Sequence, residues 1–254
     1  MKAPLSVAIV AKNEADRISA CIDTLGFADE VIVVVDDSSS DETLSIAQSH
    51  GCQTICKKWM GYARQKQFAV DMCRNQWVLI LDADERIPDP TAEAIQRLLD
   101  PPDPEVAAYS LLRKNILHGR WIRRCGWWPD RVLRLVDKTR GAYSHDLVHE
   151  QWVTEGAVKE ISLVLEHYSF RNYADMLDKL QNYSTLAAHQ MFQEGRSASW
   201  WTPISHGAWM FIRTYILELG ILAGFDGFMI SILNAGGSFM KYAKLRELRL
   251  SGLS

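Results

Sequence analysis

The chain has 254 residues, enough for one large domain or for a domain with an appendage. Hydrophobic residues make up 48% of it and charged residues 23%, so the composition is that of a globular protein and excludes a disordered one. The formal net charge of −3 at pH 7 argues against nucleic acid as a general partner. The five cysteines match no zinc or redox spacing, and we therefore expect reduced thiols in a cytoplasmic protein.

Strand-like and helix-like segments alternate over the first hundred residues. The predicted elements are strands at residues 5–10, 31–35, 53–56 and 77–81, and helices at 18–25, 40–49 and 62–73. Apolar runs without polar alternation suit strands that are covered on both faces. The order of the elements therefore predicts a mostly parallel, Rossmann-like α/β sheet, which binds its ligands at the carboxyl ends of the strands.

The sequence changes character after a Pro-rich loop at residues 100–104, and a further strand is predicted at 107–112. An apolar stripe at helical spacing predicts a helix over residues 173–194. The tail from Pro203 onward is predicted to form two amphipathic helices, which separate near residues 224–227.

Two carboxylates, Asp82 and Asp84, follow the apolar run at 77–81. Side chains two residues apart on an extended segment point the same way. Hard divalent cations bind carboxylates and bridge them to phosphates, and they neutralise a departing diphosphate. An isolated Asp-x-Asp is also common in solvated turns, but its position after a buried strand favours a Mg²⁺ or Mn²⁺ site.

Polar residues also follow the first two predicted strands: Asn13-Glu14 after the first and Asp36-Asp37 after the second. A carboxylate at a strand end can accept a hydrogen bond from the imide N–H of uracil or from a ribose hydroxyl. Alternatively, the residues after it cap the next helix, with Ser40 or Asp41 as the cap. Both interpretations can hold together.

The order of these three clusters, with residues 36–43 taken as one motif, resembles the family 2 glycosyltransferases. Residues 59–69 and 77–87 are similar to the bacterial lipopolysaccharide core β-1,4-glucosyltransferase branch of that family. The motifs cover roughly residues 5–170. The sequence departs from the usual pattern at Ser38 and Glu42, where a glycine is often found.

The resemblance implies a GT-A-type α/β fold, a UDP-sugar donor and a Mg²⁺ or Mn²⁺ cofactor. The implied nucleotide-sugar-binding residues are Asn13, Glu14, Asp36 at the uracil, Lys66 at the nucleotide or its phosphates, and Asp82 at the ribose or sugar; Asp84 would bind the metal. It also implies a catalytic domain over residues 1–170, with a nucleotide-sugar half at about 1–100 and an acceptor half at about 105–170. Residues 171–254 would form a helical C-terminal region.

A downstream acidic segment supplies candidates for the general base that inverting sugar transfer requires. Glu150 is the first choice and Asp146 the second, because family 2 enzymes usually carry an acid at this place. His149 would ligate the metal or orient Glu150. Judged without the family, a surface His-Glu pair on a strand edge explains the segment equally well.

The basic, Trp-rich stretch over residues 113–134 predicts an anionic glycolipid acceptor. The residues chosen for acceptor binding are Arg120, Trp127, Trp128 and Arg131, since guanidinium groups bind phosphates and Trp rings pack against sugars. The alternative is a solvated basic face with its Trp side chains in the core. No recognised nucleic-acid motif accompanies the charge.

The C-terminal tail combines Trp200, Trp201 and Trp209 with many aliphatic side chains and with the basic residues Lys241, Lys244, Arg246 and Arg249. Such a segment is typical of helices that lie in a membrane interface. Charged residues interrupt the apolar stretch, so a peripheral position on the inner face of the cytoplasmic membrane is predicted instead of a spanning helix. A helical lid or a dimer contact is the alternative.

We therefore predict an inverting, metal-dependent transferase that moves a hexose, with glucose as one candidate, from a UDP-sugar to a glycolipid or lipopolysaccharide-core hydroxyl. One alternative is transfer to a polyprenyl phosphate, which needs no base. A sugar nucleotidyltransferase is disfavoured, because residues 11–17 contain no glycine for a phosphate loop. A non-catalytic carbohydrate-binding module is disfavoured by the acids at all three strand ends.

Overall fold

The computed structural model describes residues 2–144 and 151–251. The chain divides into two units: unit 1 consists of residues 1–114 with 130–167, and unit 2 of residues 115–129 with 168–254. The predicted division at residue 170 lies close to the second boundary, but residues 115–129 group with the C-terminal helices. The assignment of catalytic and C-terminal functions to 1–170 and 171–254 stays a prediction.

Unit 1 is built on a mixed sheet with helices on both faces. Its strands are β1 (Leu5–Ala11), β2 (Glu30–Asp36), β3 (Gln53–Lys57), β4 (Trp77–Asp82), β5 (Glu85–Arg86), β6 (Val106–Leu117, which continues into unit 2), β8 (Arg131–Asp137), β9 (Gly141–Tyr143), β10 (Trp152–Thr154) and β11 (Ala157–His167). Its helices are α1 (Ile18–Ile22), α2 (Thr43–Ser49), α3 (Tyr62–Met72) and α4 (Asp89–Leu98).

The sheet has the strand order β3-β2-β1-β4-β8-β6-β11-β5. The first four of these strands run parallel, while β8 runs antiparallel to both β4 and β6, and β5 antiparallel to β11. The predicted α/β fold with a mostly parallel sheet is confirmed. The first predicted helix is shorter than expected and spans a single turn, and β6 is longer than expected.

Two apolar layers explain why the strand sequences show no polar alternation. Val33 and Leu79 face the layer that contains α1, α2 and α4, whereas Ile32 and Val78 face the layer that contains α3. Successive side chains of a strand point to opposite faces, so odd-numbered and even-numbered positions must both be apolar when both faces are covered.

Unit 2 contains the strand β7 (Arg120–Trp121), which pairs with the end of β6, and three long helices with two irregular turns. The helices are α5 (Tyr173–Gln193), α6 (Thr202–Ile212) and α7 (Gly224–Ser251), with a π-helical turn at Arg213–Leu217 and a 3₁₀ turn at Gly220–Ala223. The apolar core joins Leu117, Ile122 and Cys125 of the β6–β7 region to Met176 of α5 and Ile230 of α7.

The break between the tail helices lies at residues 213–223, just before the predicted position. Gly224 has φ +67°, a conformation that glycine adopts at no steric cost, and α7 begins there. Gly227 lies inside α7, where a Cβ atom would clash with the carbonyl oxygen of Gly220. This glycine therefore permits a close approach of two backbone segments and does not end a helix.

One helical stretch of the described chain, residues 220–251, is long and apolar enough to cross a membrane by length and composition. A third of its most apolar window is buried within the structure, and buried core helices satisfy the same criteria. The prediction of a tail that lies on a membrane surface stays a prediction.

Candidate functional site

The carboxyl ends of three neighbouring parallel strands bring most of the predicted donor-site residues to one edge of unit 1. The loop after β1 lies between Asp36 at the end of β2 and Asp82 at the end of β4, because β1 pairs with both strands. In the register of β1 and β4, Val10 lies opposite Asp82. This is the edge at which doubly wound sheets bind ligands.

Several hydrogen bonds fix the loop after β1 to the loop after β2 and to the start of α2. Asn13 Oδ1 accepts from the backbone N–H of Ser40 at 2.8 Å, and the backbone N–H of Ala15 donates to Asp41 Oδ2 at 2.9 Å. The backbone N–H of Glu14 donates to Thr43 Oγ1 at 2.8 Å. Asn13 adopts φ +53°, which Asn tolerates better than most residues. Asn13 therefore holds the two loops together, whatever it contributes to binding.

Asp36 is almost completely buried at the end of β2, with 1% of its surface exposed. It accepts from the backbone N–H of Ser38 at 3.0 Å and from Ser38 Oγ at 2.9 Å, and Lys12 Nζ lies 3.0 Å away. The Ser38 backbone N–H is the main reason that the pKa of Asp36 falls to about 2, with Lys12 adding to the effect against the cost of burial. The Lys12 side chain is half-exposed, so this ion pair joins a buried carboxylate to an accessible cation.

Asp82 is held between two cations, Lys66 and Arg134. Lys66 Nζ lies 2.9 Å from Asp82 Oδ1, and Arg134 Nη2 donates to Asp82 Oδ2 at 2.7 Å and to Glu85 Oε1 at 2.6 Å. Burial alone would raise the pKa of Asp82, but Lys66 and Arg134 overcome it and hold that pKa well below its usual range. Burial likewise opposes the charge on Lys66, and the Asp82 carboxylate overcomes this effect and raises the Lys66 pKa.

This cluster combines buried and accessible charges. Glu85 is fully buried and Arg134 nearly so, whereas the side chain of Asp82 is 30% exposed and that of Lys66 is 12% exposed. Glu85 also accepts a hydrogen bond of 3.1 Å from the backbone N–H of Asp82. Arg134 and Glu85 thus fix the orientation of Asp82, and Lys66 and Asp82 are the members that a ligand could touch.

Asp84 contacts a histidine that the sequence did not single out. His167 Nε2, at the end of β11, lies 3.4 Å from Asp84 Oδ2, and Arg17 Nη1 lies 3.5 Å from the same oxygen. His167 reaches this place because it pairs with Glu85 in the β5–β11 register. The side chains of Asp84 and His167 are 12% and 13% exposed, so this pair borders the accessible edge.

The described residues supply only part of a metal site. Over residues 2–144 and 151–251, no three His, Cys, Asp or Glu side chains are grouped so that they could hold a metal ion. Mg²⁺ usually binds through one or two carboxylates and takes its other ligands from phosphates and water, so the Asp84 carboxylate fits a site that a diphosphate completes, with the His167 imidazole beside it. Arg17 already occupies one oxygen of Asp84, and a metal would have to bind beside it or displace it.

The remaining predicted residues fall in three places. Asp146, His149 and Glu150 lie outside the described residues. Arg131, in unit 1, pairs with Glu160 at 3.0 Å and donates to a carbonyl of β11, so it links two strands. The other three acceptor candidates are in unit 2. Trp127 stacks on Phe170 and Trp128 packs edge-on against Trp121, while Arg120 is 66% exposed.

Comparison of the sequence with known proteins gives matches over most of its length. The profile of Glycosyl transferase family 2 matches residues 6–158. Lipopolysaccharide core biosynthesis glycosyltransferase LpsC of Rhizobium meliloti (strain 1021) is 31% identical over 258 residues, covering 97% of this chain and 93% of that protein. An uncharacterized glycosyltransferase of Rickettsia bellii (strain RML369-C) is 32% identical over 257 residues, covering 97% and 87%.

Two solved structures share the fold at low sequence identity. The mannosyltransferase PcManGT from Pyrobaculum calidifontis, in complex with GDP-Man and Mn²⁺, has a TM-score of 0.50 at 16% identity, covering 100% of this chain and 80% of that chain. Glucosyl-3-phosphoglycerate synthase from Mycobacterium tuberculosis, in complex with Mn²⁺, UDP and phosphoglyceric acid, also has a TM-score of 0.50 at 16% identity, covering 78% and 80%.

Proposed function

The chain belongs to glycosyl transferase family 2, and from that premise we propose that it transfers a hexose from a UDP-sugar to a hydroxyl of an anionic glycolipid, with inversion at the anomeric carbon. Glycosyl transfer and the GT-A fold follow from the family. The donor, the sugar and the acceptor are the parts that we propose.

The Asp82–Lys66–Arg134 cluster carries the proposal for the donor. In the proposed complex, the accessible Lys66 ammonium binds the diphosphate, and Asp82 accepts from a ribose or sugar hydroxyl. Arg134, buried behind them and bonded to both Asp82 and Glu85, keeps the Asp82 carboxylate aimed at the edge. Asp36 is assigned to the uracil imide, and the loop with Asn13 and Glu14 borders the nucleotide.

A divalent cation is proposed at Asp84, with His167 as a further candidate ligand beside His149, which the sequence predicts. A bound Mn²⁺ or Mg²⁺ would neutralise charge on the leaving diphosphate. The 3.4 Å separation of Asp84 Oδ2 and His167 Nε2 supports this assignment. So does the presence of Mn²⁺ in the mannosyltransferase and in the synthase that share the fold.

The acceptor hydroxyl must lose a proton as it attacks, and Glu150 is proposed as the base that takes it, with Asp146 as the second candidate. Both residues come from the sequence alone. If the acceptor were a polyprenyl phosphate, its oxygen would already be ionised and no base would be needed, so the behaviour of Glu150 variants separates the two acceptors.

A lipopolysaccharide-core glycolipid is the proposed acceptor, because the relative LpsC is named for lipopolysaccharide core biosynthesis. The exposed guanidinium of Arg120 supports an anionic acceptor. Such an acceptor lies in the cytoplasmic membrane, and the enzyme is therefore proposed to work as a peripheral protein on its inner face.

The donor is tested by measuring thermal unfolding with a panel of nucleotide sugars, with and without Mn²⁺. A ligand that binds only the folded chain raises the unfolding temperature with the logarithm of its concentration. We expect stabilisation by UDP-sugars that depends on Mn²⁺, with UDP alone and Mn²⁺ alone as controls. Stabilisation by GDP-mannose and not by any UDP-sugar would contradict the proposed donor.

A further inference from the structure

Unit 2 exposes an unusual number of large apolar side chains in the turns between α6 and α7. Six of the ten residues from 216 to 225 are large, apolar and between 41% and 67% exposed: Ile216, Leu217, Leu219, Ile221, Leu222 and Phe225. Leu219 also adopts φ +56°, which is unfavourable for a side chain with a Cβ atom. Packing within the chain therefore does not explain why these residues are apolar.

The same surface continues along α6. Trp201, Ile204, Ala208 and Ile212 recur at intervals of three and four residues, which places them on one face of the helix, and all four are exposed. Trp209 is 55% exposed next to this stripe. Trp side chains are enriched where proteins meet the boundary between lipid and water.

This apolar surface carries no net charge of its own. Between residues 200 and 225 the only Asp, Glu, Lys or Arg residues are Arg213 and Glu218. Their side chains pair with each other, with Arg213 Nε 2.8 Å from Glu218 Oε1. In soluble proteins, a contiguous patch of exposed apolar side chains usually marks an interaction surface.

A basic hairpin at residues 118–124 lies beside the apolar turn. His118 Nδ1 is 2.9 Å from Asp226 Oδ1, and Arg120 Nη1 is 3.8 Å from Asp226 Oδ2, so both side chains are held at the first turn of α7. The backbone N–H of Cys125 donates to the carbonyl oxygen of Glu218 at 3.0 Å. Arg120, Arg123 and Arg124 are all exposed.

The basic residues that the sequence suggested for membrane contact are partly engaged elsewhere. Lys244 Nζ donates to Ser184 Oγ at 2.8 Å and to Thr185 Oγ1 at 2.7 Å on α5. Arg249 lies over the ring of Phe192, and its Nε donates to the carbonyl oxygen of Arg196. In the hairpin, Arg120 is paired with Asp226 and Arg123 lies over the Trp121 ring, but all three arginines are exposed beside the apolar turn, and this position places positive charge next to the exposed apolar side chains.

We propose that this face, made of residues 200–225 and the hairpin 118–124, docks unit 2 on an anionic lipid bilayer. The apolar turn enters the headgroup region, and the hairpin arginines contact the headgroup phosphates. Glu218 of the face and the neighbouring Asp226 are already paired with cations of their own chain, so two copies of this face do not complement each other in charge. The proposal specifies the surface behind the membrane association given above, but it requires neither donor nor transfer.

The test is co-sedimentation of the full chain with vesicles of phosphatidylcholine alone and of phosphatidylcholine mixed with phosphatidylglycerol, at low and high salt. Leu222→Gln with Phe225→Gln removes apolar contact, and Leu177→Gln with Leu186→Gln on α5 is its matched control, since those leucines are 53% and 50% exposed. All of these positions are on the surface, and circular dichroism with thermal unfolding checks that each variant is folded.

Charge is tested in the same way by Arg123→Gln with Arg124→Gln, and the control Lys241→Gln with Arg246→Gln removes the same charge from the end of α7. We expect the Leu222/Phe225 variant to bind both vesicles at least about tenfold more weakly at either salt concentration. The Arg123/Arg124 variant should lose about fivefold in vesicle affinity for each arginine removed, only on anionic vesicles and mainly at low salt. Both controls should bind like the unmodified chain.

Absence of binding to either vesicle would overturn the proposal, as would controls that bind as weakly as the test variants. A chain that is a dimer in solution, and becomes a monomer in the Leu222/Phe225 variant, would identify the face as a subunit interface instead. Because the donor is tested separately by thermal unfolding with nucleotide sugars, failure of the docking proposal is distinguishable from failure of the proposed donor.

Discussion

Replacing Arg134 with methionine should destabilise unit 1 strongly, because it leaves the carboxylate of Glu85 buried without its closest cation. In the native chain Arg134 Nη2 lies 2.6 Å from Glu85 Oε1 and 2.7 Å from Asp82 Oδ2, and Glu85 is fully buried. Breaking a buried ion pair on one side typically costs about 3–5 kcal/mol of the free energy of unfolding. Arg113 Nη1 remains 3.8 Å from Glu85, so we expect a value near the lower limit.

A second substitution separates this cause from simple loss of packing. In Glu85→Gln with Arg134→Met, the buried charge is gone, while the glutamine oxygen can still accept from the backbone N–H of Asp82. Asp82 retains Lys66 at 2.9 Å. The double variant should therefore be more stable than Arg134→Met alone, by about 1–3 kcal/mol, the usual penalty for an unsatisfied buried polar group.

The assay is urea unfolding of the native chain, Arg134→Met, Glu85→Gln and the double variant, followed by circular dichroism at pH 7. With a slope of about 1–3 kcal/mol per molar urea, Arg134→Met should lower the midpoint by at least about 1 M. The double variant should recover part of that shift at an unchanged slope. Additive losses in the double variant, or a single variant as stable as the native chain, would refute the assignment of Arg134 as the counter-charge to Glu85.

The other predictions concern three single carboxylates and the product. Asp84→Asn should keep the fold and abolish metal-dependent turnover, because an amide lacks the charge that holds a hard cation; full activity in chelator-buffered Mn²⁺ would exclude Asp84 as a ligand. Glu150→Gln should slow transfer by a factor of about 10² to 10⁴ with UDP binding nearly unchanged, and a larger loss in Asp146→Asn would reassign the base. Asp36→Asn should lower the free energy of unfolding by up to about 2 kcal/mol at pH 7. The reason is that folding lowers the pKa of this carboxyl from the ordinary 3.8 to about 2, so the charged form stabilises the folded chain. Because the pKa of Asp36 is lower in the folded state, this stability is present above pH 3.8 and is lost as the pH falls toward 2. The difference in urea midpoint between Asp36→Asn and the native chain should therefore become smaller below about pH 4. A difference that grows below this pH would contradict the assignment. The product of an α-linked UDP-hexose should be β-linked, as read from the anomeric coupling constant in NMR, and an α-linkage would show retention.

The parallel half of the fold could be predicted because its signal is local. Residues 31–35 and 78–81 are apolar at every position, so they cover both faces of the sheet. Each run is followed by an aspartate at the edge where doubly wound sheets bind ligands. Asp36, Asp82 and the Asn13 loop could therefore be placed without coordinates. Their roles in binding stay predictions.

The antiparallel half carries the residues that the sequence did not single out. Arg134 meets Asp82 through the β4–β8 pairing, and His167 meets Asp84 through the β5–β11 pairing. These contacts join residues 52 and 83 positions apart, and no periodicity in either segment specifies the partner or the register. A histidine at a strand end and an arginine within a basic stretch have no distinguishing signal of their own.

The basic stretch at 113–134 shows a second limit. The sequence predicts one acceptor-binding segment, but Arg131 and Arg134 lie on a strand of unit 1, whereas residues 115–129 belong to unit 2. Basic residues and tryptophans occur throughout this stretch, although the chain passes from unit 1 to unit 2 and back within it. Only the pairing of β6 with β7 and with β8 reveals where it does so.

That passage of the chain constrains how such enzymes can be recombined. Leu117, Ile122 and Cys125 lie in the same apolar cluster as Met176 and Ile230. Residues 115–129 and the C-terminal helices therefore form one module that is encoded by two separate stretches of the chain. A chimera with a single crossover near residue 168 would pair one parent's hairpin with another parent's helices and mismatch that cluster. Exchanging residues 115–129 together with 168–254 would transplant the module intact and leave strands β1 to β4 untouched.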